Sequence, residues 1–164
     1  MLLPHHCTLC PRACGADRAA GQSGFCGADD RLLVARAALH HWEEPCLSGA
    51  PEDARGSGTV FFSGCTLRCC YCQNYPISQQ GVGKAITPER LAGIFLRLQQ
   101  DGARNLNLVT ATQYLPQVRQ ALESARAAGL TLPVVYNTGG YETLAAVKAL
   151  DGYVDIWLTD FKYA

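Results

Sequence analysis

The sequence predicts an α/β fold in which about four strand–helix units form a parallel sheet, either as a partial barrel or as a doubly wound sheet. From residue 59 onward, apolar β-branched runs alternate with segments of helical periodicity. Such alternation implies parallel strands joined by right-handed crossovers. Residues 1–57 are instead rich in cysteine, glycine and turn-forming residues. We therefore assign them to an extension and linker, and residues 58–164 to the core.

The chain has the size and composition of one globular domain, with 164 residues of which 48% are hydrophobic. It carries 14 Lys plus Arg and 14 Asp plus Glu, so no net field attracts nucleic acid or an anionic membrane. We expect neither as a partner. A small molecule or a protein is the expected substrate.

The cysteine content and the start of the chain predict a reducing compartment. The first residues show no basic segment followed by an apolar one, and no later run is long enough to span a bilayer. This predicts a cytoplasmic protein, in which nine cysteines, an odd count, are more typical of metal ligands than of disulfides. Because an exposed cluster is sensitive to oxygen, we expect an anaerobic or low-oxygen setting.

Four cysteines in C-x2-C-x3-C-x11-C spacing occupy the extension: Cys7, Cys10, Cys14 and Cys26. This segment has little apolar material to fold around, so a metal would supply the stabilisation that it lacks. The set could complete a zinc site or a second iron–sulfur cluster, and spacing does not choose between them. His5 and His6 could substitute as ligands, although adjacent histidines near a terminus are usually solvated. Four unligated thiols are the alternative.

The end of the extension allows two interpretations. Residues 31–40 fit a strand or a short helix, because so short a segment carries no decisive periodicity. Residues 40–46 then combine two imidazoles, two carboxylates, an indole and a thiol. This density predicts either the lining of a site or a flap whose Trp42 docks on the core while its charged groups face water. Residues 48–58 are predicted to form a linker.

A second cysteine group follows the first core strand, which is predicted over residues 59–62. Cys65, Cys69 and Cys72 have C-x3-C-x2-C spacing in the loop that comes after this strand. Three thiolates can hold one four-iron cluster and leave one of its irons without a protein ligand. A zinc site or a group of buried free thiols is the alternative.

Helix signals alternate with strands over the rest of the chain. Thr87 is a natural N-cap, Pro88 fits the first helical turn and Gly129 stands where a C-cap is expected. The predicted helices cover residues 87–102, 116–128 and 143–150, and the further strands cover 105–110, 132–138 and 154–160. In either architecture the functional groups gather beyond the carboxyl ends of the strands, where the cysteine loop already lies.

The cysteine loop resembles the signature of the radical S-adenosylmethionine (radical SAM) enzymes. Over its whole length the chain resembles the N-terminal portion of the pyruvate formate-lyase activating enzymes, in the branch with a cysteine-rich N-terminus. The stretches that carry this likeness are Cys7-Thr8-Leu9-Cys10-Pro11-Arg12, Trp42-Glu43-Glu44-Pro45-Cys46, Phe61-Phe62-Ser63-Gly64-Cys65, Cys72-Gln73-Asn74-Tyr75 and Asp160-Phe161-Lys162-Tyr163. The resemblance implies a partial parallel (β/α) barrel of the radical SAM type.

The resemblance also implies the chemistry. Cys65, Cys69 and Cys72 would hold a 4Fe-4S cluster whose open iron chelates the amino and carboxylate groups of SAM. In that family an electron from the cluster cleaves the sulfonium and gives a 5'-deoxyadenosyl radical, which abstracts hydrogen from an unreactive C–H bond. Tyr71 matches the aromatic position of the motif, near the nucleoside. We therefore expect a radical SAM oxidoreductase, without assigning a catalytic residue.

Two departures from the family pattern bear on the site, and the first concerns SAM. Activating enzymes usually carry Gly-Gly-Glu-Pro at the end of the second strand, where it holds the amino group of SAM. This sequence reads Val109-Thr110-Ala111-Thr112-Gln113-Tyr114 there. The hydroxyls of Thr110 and Thr112, or a backbone carbonyl, could accept the same hydrogen bonds. Asn137, at the end of the third strand, is a further candidate contact to SAM, and Gly139-Gly140 is interpreted as a strand-to-helix turn.

The second departure is length. Family members form a six-unit partial barrel, whereas this chain stops after its fourth strand, so we expect a sequence truncated at its C-terminus. The fourth strand, residues 154–160, would then be an edge strand with little protection. Asp160 and Lys162 could approach the SAM or substrate pocket, although charges near a chain end are usually solvated.

The resemblance suggests a glycine Cα–H on a glycyl-radical enzyme as the target, with a small-molecule substrate as the alternative. It also implies an electron donor such as flavodoxin or ferredoxin. The rival class is a non-catalytic zinc or iron–sulfur binding or electron-transfer module. A closed cluster would need a fourth ligand from Cys70 or Cys46, and Cys70 breaks the spacing, which predicts a neighbour rather than a ligand.

Overall fold

The computed structural model describes residues 3–50 and 55–162. Three of the sequence-based expectations touch residues outside these ranges. The start of the chain, predicted to carry no targeting segment, includes Met1 and Leu2. The predicted linker includes residues 51–54, and the last stretch that resembles the activating enzymes includes Tyr163.

Six strands form one mixed sheet in the order β3-β1-β2-β4-β5-β6. They are β1 (Leu32–His40), β2 (Ser57–Phe62), β3 (Lys84–Ile86), β4 (Leu106–Val109), β5 (Val134–Thr138) and β6 (Ile156–Thr159). Strands β2, β4, β5 and β6 run parallel, whereas β1 pairs antiparallel with both β2 and β3. Strands β3 and β6 each pair on one side, so the sheet seen in the described residues is open.

The three longer helices lie where the sequence predicts them, and two short helices, the first two of the chain, were not predicted. The described residues contain the helices α1 (Pro45–Ser48), α2 (Tyr75–Ser78), α3 (Pro88–Gln100), α4 (Leu115–Ala127) and α5 (Leu144–Ala149). The Thr87 hydroxyl accepts a hydrogen bond from the Arg90 amide at 3.2 Å and caps α3. The Thr143 hydroxyl caps α5 through the Ala146 amide at 3.0 Å. None of the helices in these ranges is long and apolar enough to cross a membrane.

The predicted α/β class and its parallel strands are confirmed. Residues 31–40, which fitted either a strand or a short helix, form the strand β1. The strand β3 was not predicted; it has three residues and is held by its pairing with β1. The fourth predicted strand lies at the sheet edge, as expected, with the Ile156 and Trp157 side chains each 39% exposed. The partial barrel of the radical SAM type stays a prediction, because the described strands form an open mixed sheet.

The two faces of the sheet carry different side chains. Side chains alternate along a strand, and residues opposite one another in neighbouring strands share a face. One face contributes a row of apolar side chains, Val60, Leu108 and Tyr136, to the core that α3 and α4 cover. The next row on the opposite face consists of Phe61, Val109, Asn137 and Leu158. This second row lies at the carboxyl ends of all four parallel strands.

Candidate metal and cofactor site

The loop that carries the three core cysteines, residues 63–74, is called the cluster loop. It leaves β2 through Ser63, whose hydroxyl donates to the Val82 carbonyl at 2.6 Å. Gly64 has φ of 79°, and a Cβ built on it would lie 2.5 Å from the Cys26 carbonyl oxygen. Both the left-handed backbone and the close approach therefore require glycine here.

The Gln113 side chain fixes the start of the cluster loop to the end of β4. Its amide nitrogen lies 3.0 Å from the carbonyl oxygens of Ser63 and Gly64 and 2.8 Å from that of Thr110. Gln113 is 1% exposed, so these contacts form away from water, where an unpaired carbonyl would be costly. Sequence reasoning placed Gln113 in a departure from the family motif without giving it a role. No local signal identifies it, because its partners come from another strand.

Cys65, Cys69 and Cys72 are partly buried and line the same cavity, which has a volume of about 630 Å³. The Ser78 hydroxyl donates to the Cys72 sulfur at 3.3 Å, and the Cys72 amide donates to the Cys69 carbonyl at 3.3 Å. Burial raises the pKa of the Cys65 thiol, and the nearby Cys69 and Cys72 raise it further. Three thiolates brought this close repel one another, which a cluster of positive iron centres would relieve.

The residues present fit a 4Fe-4S cluster held by three thiolates. Of the described cysteines, these three line the cavity, whereas Cys70 and Cys46 are exposed and lie outside its lining. The prediction that Cys70 is a neighbour in sequence rather than part of the site agrees with this placement. A cavity of about 630 Å³ is of the size that small-molecule ligands ordinarily occupy in proteins.

All four residues predicted to contact SAM also line this cavity: Tyr71, Thr110, Thr112 and Asn137. Asn137 belongs to the row at the carboxyl ends of the parallel strands, together with Phe61, Val109 and Leu158. The Tyr71 hydroxyl donates to the Lys162 carbonyl at 3.2 Å and so links the cluster loop to the segment after β6. The sheet register thus assembles residues that are far apart in sequence.

Thr110 has φ of 57°, an unusual value for a β-branched residue. Its amide donates to the Asn137 carbonyl at 2.9 Å, and its own carbonyl accepts from Gln113 at 2.8 Å. Such a conformation costs about 1–3 kcal/mol and persists because the surrounding contacts fix it. It turns the chain out of β4 towards the cavity.

Glu142 is a cavity residue that sequence reasoning missed. Its carboxylate accepts a hydrogen bond from the Thr112 hydroxyl at 2.8 Å and another from the Thr138 hydroxyl. Thr112 also lies 3.0 Å from the Tyr136 hydroxyl, whose pKa is raised by burial. Thr112 therefore orients a carboxylate in addition to offering its own oxygen. The signal that could have identified it in the sequence was an acidic residue soon after the Gly139-Gly140 turn, close to the end of a parallel strand.

The Gly139-Gly140 pair does form the turn between β5 and α5, as predicted. Gly140 has φ of 77°. A Cβ built on Gly139 would lie 2.4 Å from the Leu67 Cδ1 atom, so the cluster loop packs against the end of β5 at this point. A side chain here would displace the flexible end of Leu67.

The segment 40–44 lines the cavity, which favours the first of its two interpretations. His40, Trp42, Glu43 and Glu44 all contribute to the wall. In the second interpretation Trp42 docks on the core, but its side chain is 89% exposed. Burial raises the pKa of the Glu43 carboxyl, although the nearby His40 opposes the rise. The neighbouring Cys46 is exposed in α1.

Asp160 and Lys162 line the cavity and are exposed, as charges near a chain end usually are. Their side chains form an ion pair with each other, which raises the pKa of Lys162. His5 and His6 are also exposed, and the His5 ring lies 3.0 Å from the Asp17 carboxylate.

Three of the four cysteines of the extension are buried: Cys7, Cys10 and Cys26. Cys14 is exposed. Among residues 3–50 and 55–162, no three histidine, cysteine or acidic side chains stand around one point at the distances that a single metal ion needs.

Comparison with known proteins places this site in context. The chain is 32% identical over 165 residues to the uncharacterized protein MJ0674 of Methanocaldococcus jannaschii, an alignment covering 96% of this chain and 46% of that relative. The chain therefore spans about half the length of the curated relative that it matches. No solved structure matches it.

The sequence also matches the family described as a 4Fe-4S single cluster domain over residues 54–160. This range contains β2, the cluster loop and all the parallel strands that surround the cavity. Cys65, Cys69 and Cys72, the three thiols of the cavity, lie within the matched residues. The chain is an iron–sulfur protein and belongs to the 4Fe-4S single cluster domain family.

Proposed function

We propose that this chain is a radical SAM oxidoreductase whose cluster is held by Cys65, Cys69 and Cys72. One observation supports the proposal most directly: of the described cysteines, these three line the cavity while Cys46 and Cys70 do not. These three thiolates would hold a 4Fe-4S cluster with one iron free for the methionine part of SAM, and such a cluster would supply the electron that cleavage of the sulfonium needs.

The polar residues of the cavity suit the charged part of SAM. The Glu142 carboxylate is held by the Thr112 and Thr138 hydroxyls, and it can accept hydrogen bonds from the ammonium group. This arrangement offers a substitute for the Gly-Gly-Glu-Pro sequence that activating enzymes carry after the second strand. Thr110 and Asn137 stand at the adjacent strand ends, within the same cavity wall, as further polar contacts.

The apolar residues of the same wall would exclude water from the reacting groups. Phe61, Val109 and Leu158 flank Asn137 in one row across the sheet. A wall of this kind limits the side reactions of a reactive intermediate, since few water molecules can reach it. Tyr71, which is 69% exposed, lies at the rim, where a nucleoside could pack against its ring.

The substrate class is proposed by analogy with the activating enzymes that the sequence resembles. We propose hydrogen abstraction from a glycine Cα–H of a partner glycyl-radical enzyme, with a small molecule as the alternative substrate, and flavodoxin or ferredoxin as the electron donor. A cytoplasmic, low-oxygen setting would suit a cluster with an accessible iron. This chain spans about half the length of the relative that it matches, so the activity, substrate and partners of the whole protein are proposals.

The test is anaerobic reconstitution with iron and sulfide, followed by electron paramagnetic resonance of the dithionite-reduced protein with and without SAM. The expected result is a reduced-cluster signal that shifts on addition of SAM, with 5'-deoxyadenosine formed in the same sample. A signal that SAM leaves unchanged would favour the rival reading, a closed iron–sulfur module. A shift without nucleoside would retain SAM binding and exclude turnover by this chain alone.

A further inference from the structure

The extension contains a compact lobe of residues 7–28 that the proposed function does not use. We call it the cysteine lobe. The Cys7, Cys10 and Cys26 side chains are 5%, 8% and 7% exposed, although a three-residue 3-10 helix is the one regular element in this part of the chain. Cys26 belongs to the apolar core of the domain, whereas Cys7 and Cys10 are buried outside that core. Burial of these two thiols in a segment with so little secondary structure needs a further cause, because such segments rarely bury enough apolar surface to fold on their own.

Backbone hydrogen bonds fold the lobe into tight turns around its cysteines. One turn is closed by a hydrogen bond from the Ala13 amide to the Cys10 carbonyl at 3.0 Å, and another by a hydrogen bond from the Gly27 amide to the Gly24 carbonyl at 2.9 Å. The Gly15 amide donates to the Cys7 carbonyl at 3.1 Å, which holds Cys7 beside the segment that carries Cys14.

The four thiols are neighbours of one another. Cys7 and Cys14 lie near Cys10, and Cys7 and Cys10 lie near Cys26. Four cysteine side chains gathered in one lobe are a donor set that soft metals prefer.

Gly24 marks the space between the two cysteine turns. A Cβ built on it would lie 3.3 Å from the Cys14 sulfur and 3.6 Å from the Cys26 sulfur. Its φ lies outside the left-handed region, so conformation does not require glycine at this position. A side chain at this position would contact both sulfur atoms, so glycine leaves the space between them open.

We propose that Cys7, Cys10, Cys14 and Cys26 hold a thiolate-ligated metal centre, a zinc ion or an iron–sulfur cluster, separate from the cluster of the cavity. The thiols do not stand around a single point as they are. Binding therefore draws the sulfur atoms together on a framework whose turns are already in place. The exposed Cys14 completes the set.

The lobe contacts the cluster loop directly, which gives this centre a consequence for the main site. The Cys65 amide donates to the Cys26 carbonyl at 3.1 Å, so a ligand of one site is hydrogen-bonded to a ligand of the other. The Arg12 guanidinium donates to the carbonyls of Thr66 at 3.1 Å and Leu67 at 3.3 Å. A metal that orders the lobe would thus hold the cluster loop in place.

The first test uses the full chain with Cys65, Cys69 and Cys72 all replaced by Ser, which removes the main cluster whatever its function. The protein is purified anaerobically and assayed for zinc, iron and acid-labile sulfide. Stoichiometric zinc without sulfide identifies an ion, and iron with matching sulfide identifies a cluster; either supports the proposal. A folded protein with neither metal, even after incubation with zinc or with iron and sulfide, would overturn it.

Matched cysteine variants in this triple-variant background identify the ligands. Cys26→Ser should lose the metal, whereas Cys70→Ser, at an exposed cysteine outside both groups, should keep it. Circular dichroism checks that each variant is folded. Retention of metal by Cys26→Ser would overturn the ligand assignment.

A second measurement avoids the risk that Cys26→Ser fails to fold. The metal-free triple variant is titrated with Co²⁺ alone, and the sulfur-to-cobalt charge-transfer absorption is followed. Saturation at one equivalent with the intense visible bands of a tetrahedral thiolate site is expected. The absence of charge-transfer absorption, in a protein that also assembles no cluster from iron and sulfide, would contradict the proposal. Because the main cluster is missing from this protein, neither outcome depends on whether the radical SAM assignment is correct.

Discussion

At the residue scale, the position of Cys70 distinguishes the two candidate functions, a radical SAM enzyme and a closed iron–sulfur module. It lies in sequence between Cys69 and Cys72, yet its side chain is exposed and does not line the cavity. A closed cluster would need a fourth protein ligand, whereas an open iron needs three. The exposure of Cys70 therefore bears directly on whether SAM can bind to the cluster.

We predict that Cys70→Ala retains the iron–sulfur cluster and that Cys69→Ala loses most of it. The reason is that Cys69 lines the cavity and Cys70 does not. Iron, sulfide and visible absorption after anaerobic reconstitution measure the outcome. Loss of the cluster in Cys70→Ala to the extent seen in Cys69→Ala would support a closed cluster and the electron-transfer module instead.

Glu142 is the residue through which the cavity can recognise an ammonium group. We predict that Glu142→Gln weakens SAM binding by about tenfold to a hundredfold, since hydrogen bonds to charged groups contribute about 1.5–3 kcal/mol. A titration of SAM into the reconstituted protein, followed by the electron paramagnetic resonance shift, gives the affinity. The control Glu89→Gln removes an exposed carboxylate at the start of α3 and should bind as the parent does. Equal affinity in Glu142→Gln would remove Glu142 from the SAM site.

The half-buried Glu43 gives a prediction about pH. Burial raises the pKa of its carboxyl above the ordinary 4.5, so the folded protein holds this proton more tightly than the unfolded chain does. The contribution of Glu43 to stability is therefore present at acid pH and is lost as pH rises through the raised pKa. Glu43→Gln should raise the melting temperature at neutral pH, with the gain shrinking below pH 4.5.

Anaerobic thermal unfolding across this pH range is the measurement, with Glu44→Gln as the matched variant at an exposed neighbour. A melting temperature that falls in Glu43→Gln at neutral pH would show that the ionised carboxylate is stabilised in the fold rather than penalised by burial.

At the scale of elements, α3 and α4 cover one face of the parallel strands and leave the other to the cavity. Leu91, Phe95 and Leu98 of α3 are buried, and so are Val118 and Leu122 of α4. Their helical spacing was visible in sequence because one face of each helix must leave water. The antiparallel strand β1 was ambiguous, because its pattern becomes decisive only when β2 and β3 pair with it.

We predict that Leu122→Ala lowers the free energy of unfolding by about 2–5 kcal/mol, since it removes a fully buried side chain and leaves a cavity. Urea unfolding of the metal-free protein gives the value. Leu144→Ala, at a side chain that is 69% exposed at the start of α5, should change it by less than about 0.5 kcal/mol. Similar values for the two variants would contradict the packing of α4 on the sheet.

At the scale of the whole molecule, buried Arg18 joins the cysteine lobe to the sheet. Its guanidinium donates to the Asp29 carbonyl at 2.9 and 2.7 Å and also to the Gln113 carbonyl. Gln113 in turn holds the carbonyls at the start of the cluster loop. The lobe, the end of β4 and the cluster loop are thus linked through two buried polar side chains.

We predict that Arg18→Met destabilises the fold by about 3 kcal/mol, because it leaves two buried carbonyls without their charged donor. Limited proteolysis should then cut within the cysteine lobe first, as contacts between lobe and sheet weaken. Arg36→Met, at an exposed arginine on β1, is the control and should resist proteolysis as the parent does. Uniform resistance in Arg18→Met would show that the lobe is held by other contacts.

The sequence alone determined the parallel strands, the three longer helices and the residues of the cluster loop. These features depend on local periodicity, on capping residues such as Thr87 and on cysteine spacing, all of which act between residues close in the chain. Tyr71, Thr110, Thr112 and Asn137 were also placed at strand ends or in loops beyond them, where the cavity forms.

Only the tertiary structure decided which distant residues meet. The roles of Gln113 and Glu142, the exposure of Trp42 and the contact between Cys26 and Cys65 depend on sheet register and loop packing, and no local pattern encodes these. The open sheet order was decided in the same way, because strand pairing joins segments far apart in the chain. Local chemistry therefore identified the cysteines that we propose as ligands of the cluster, and long-range packing arranged the cavity around them.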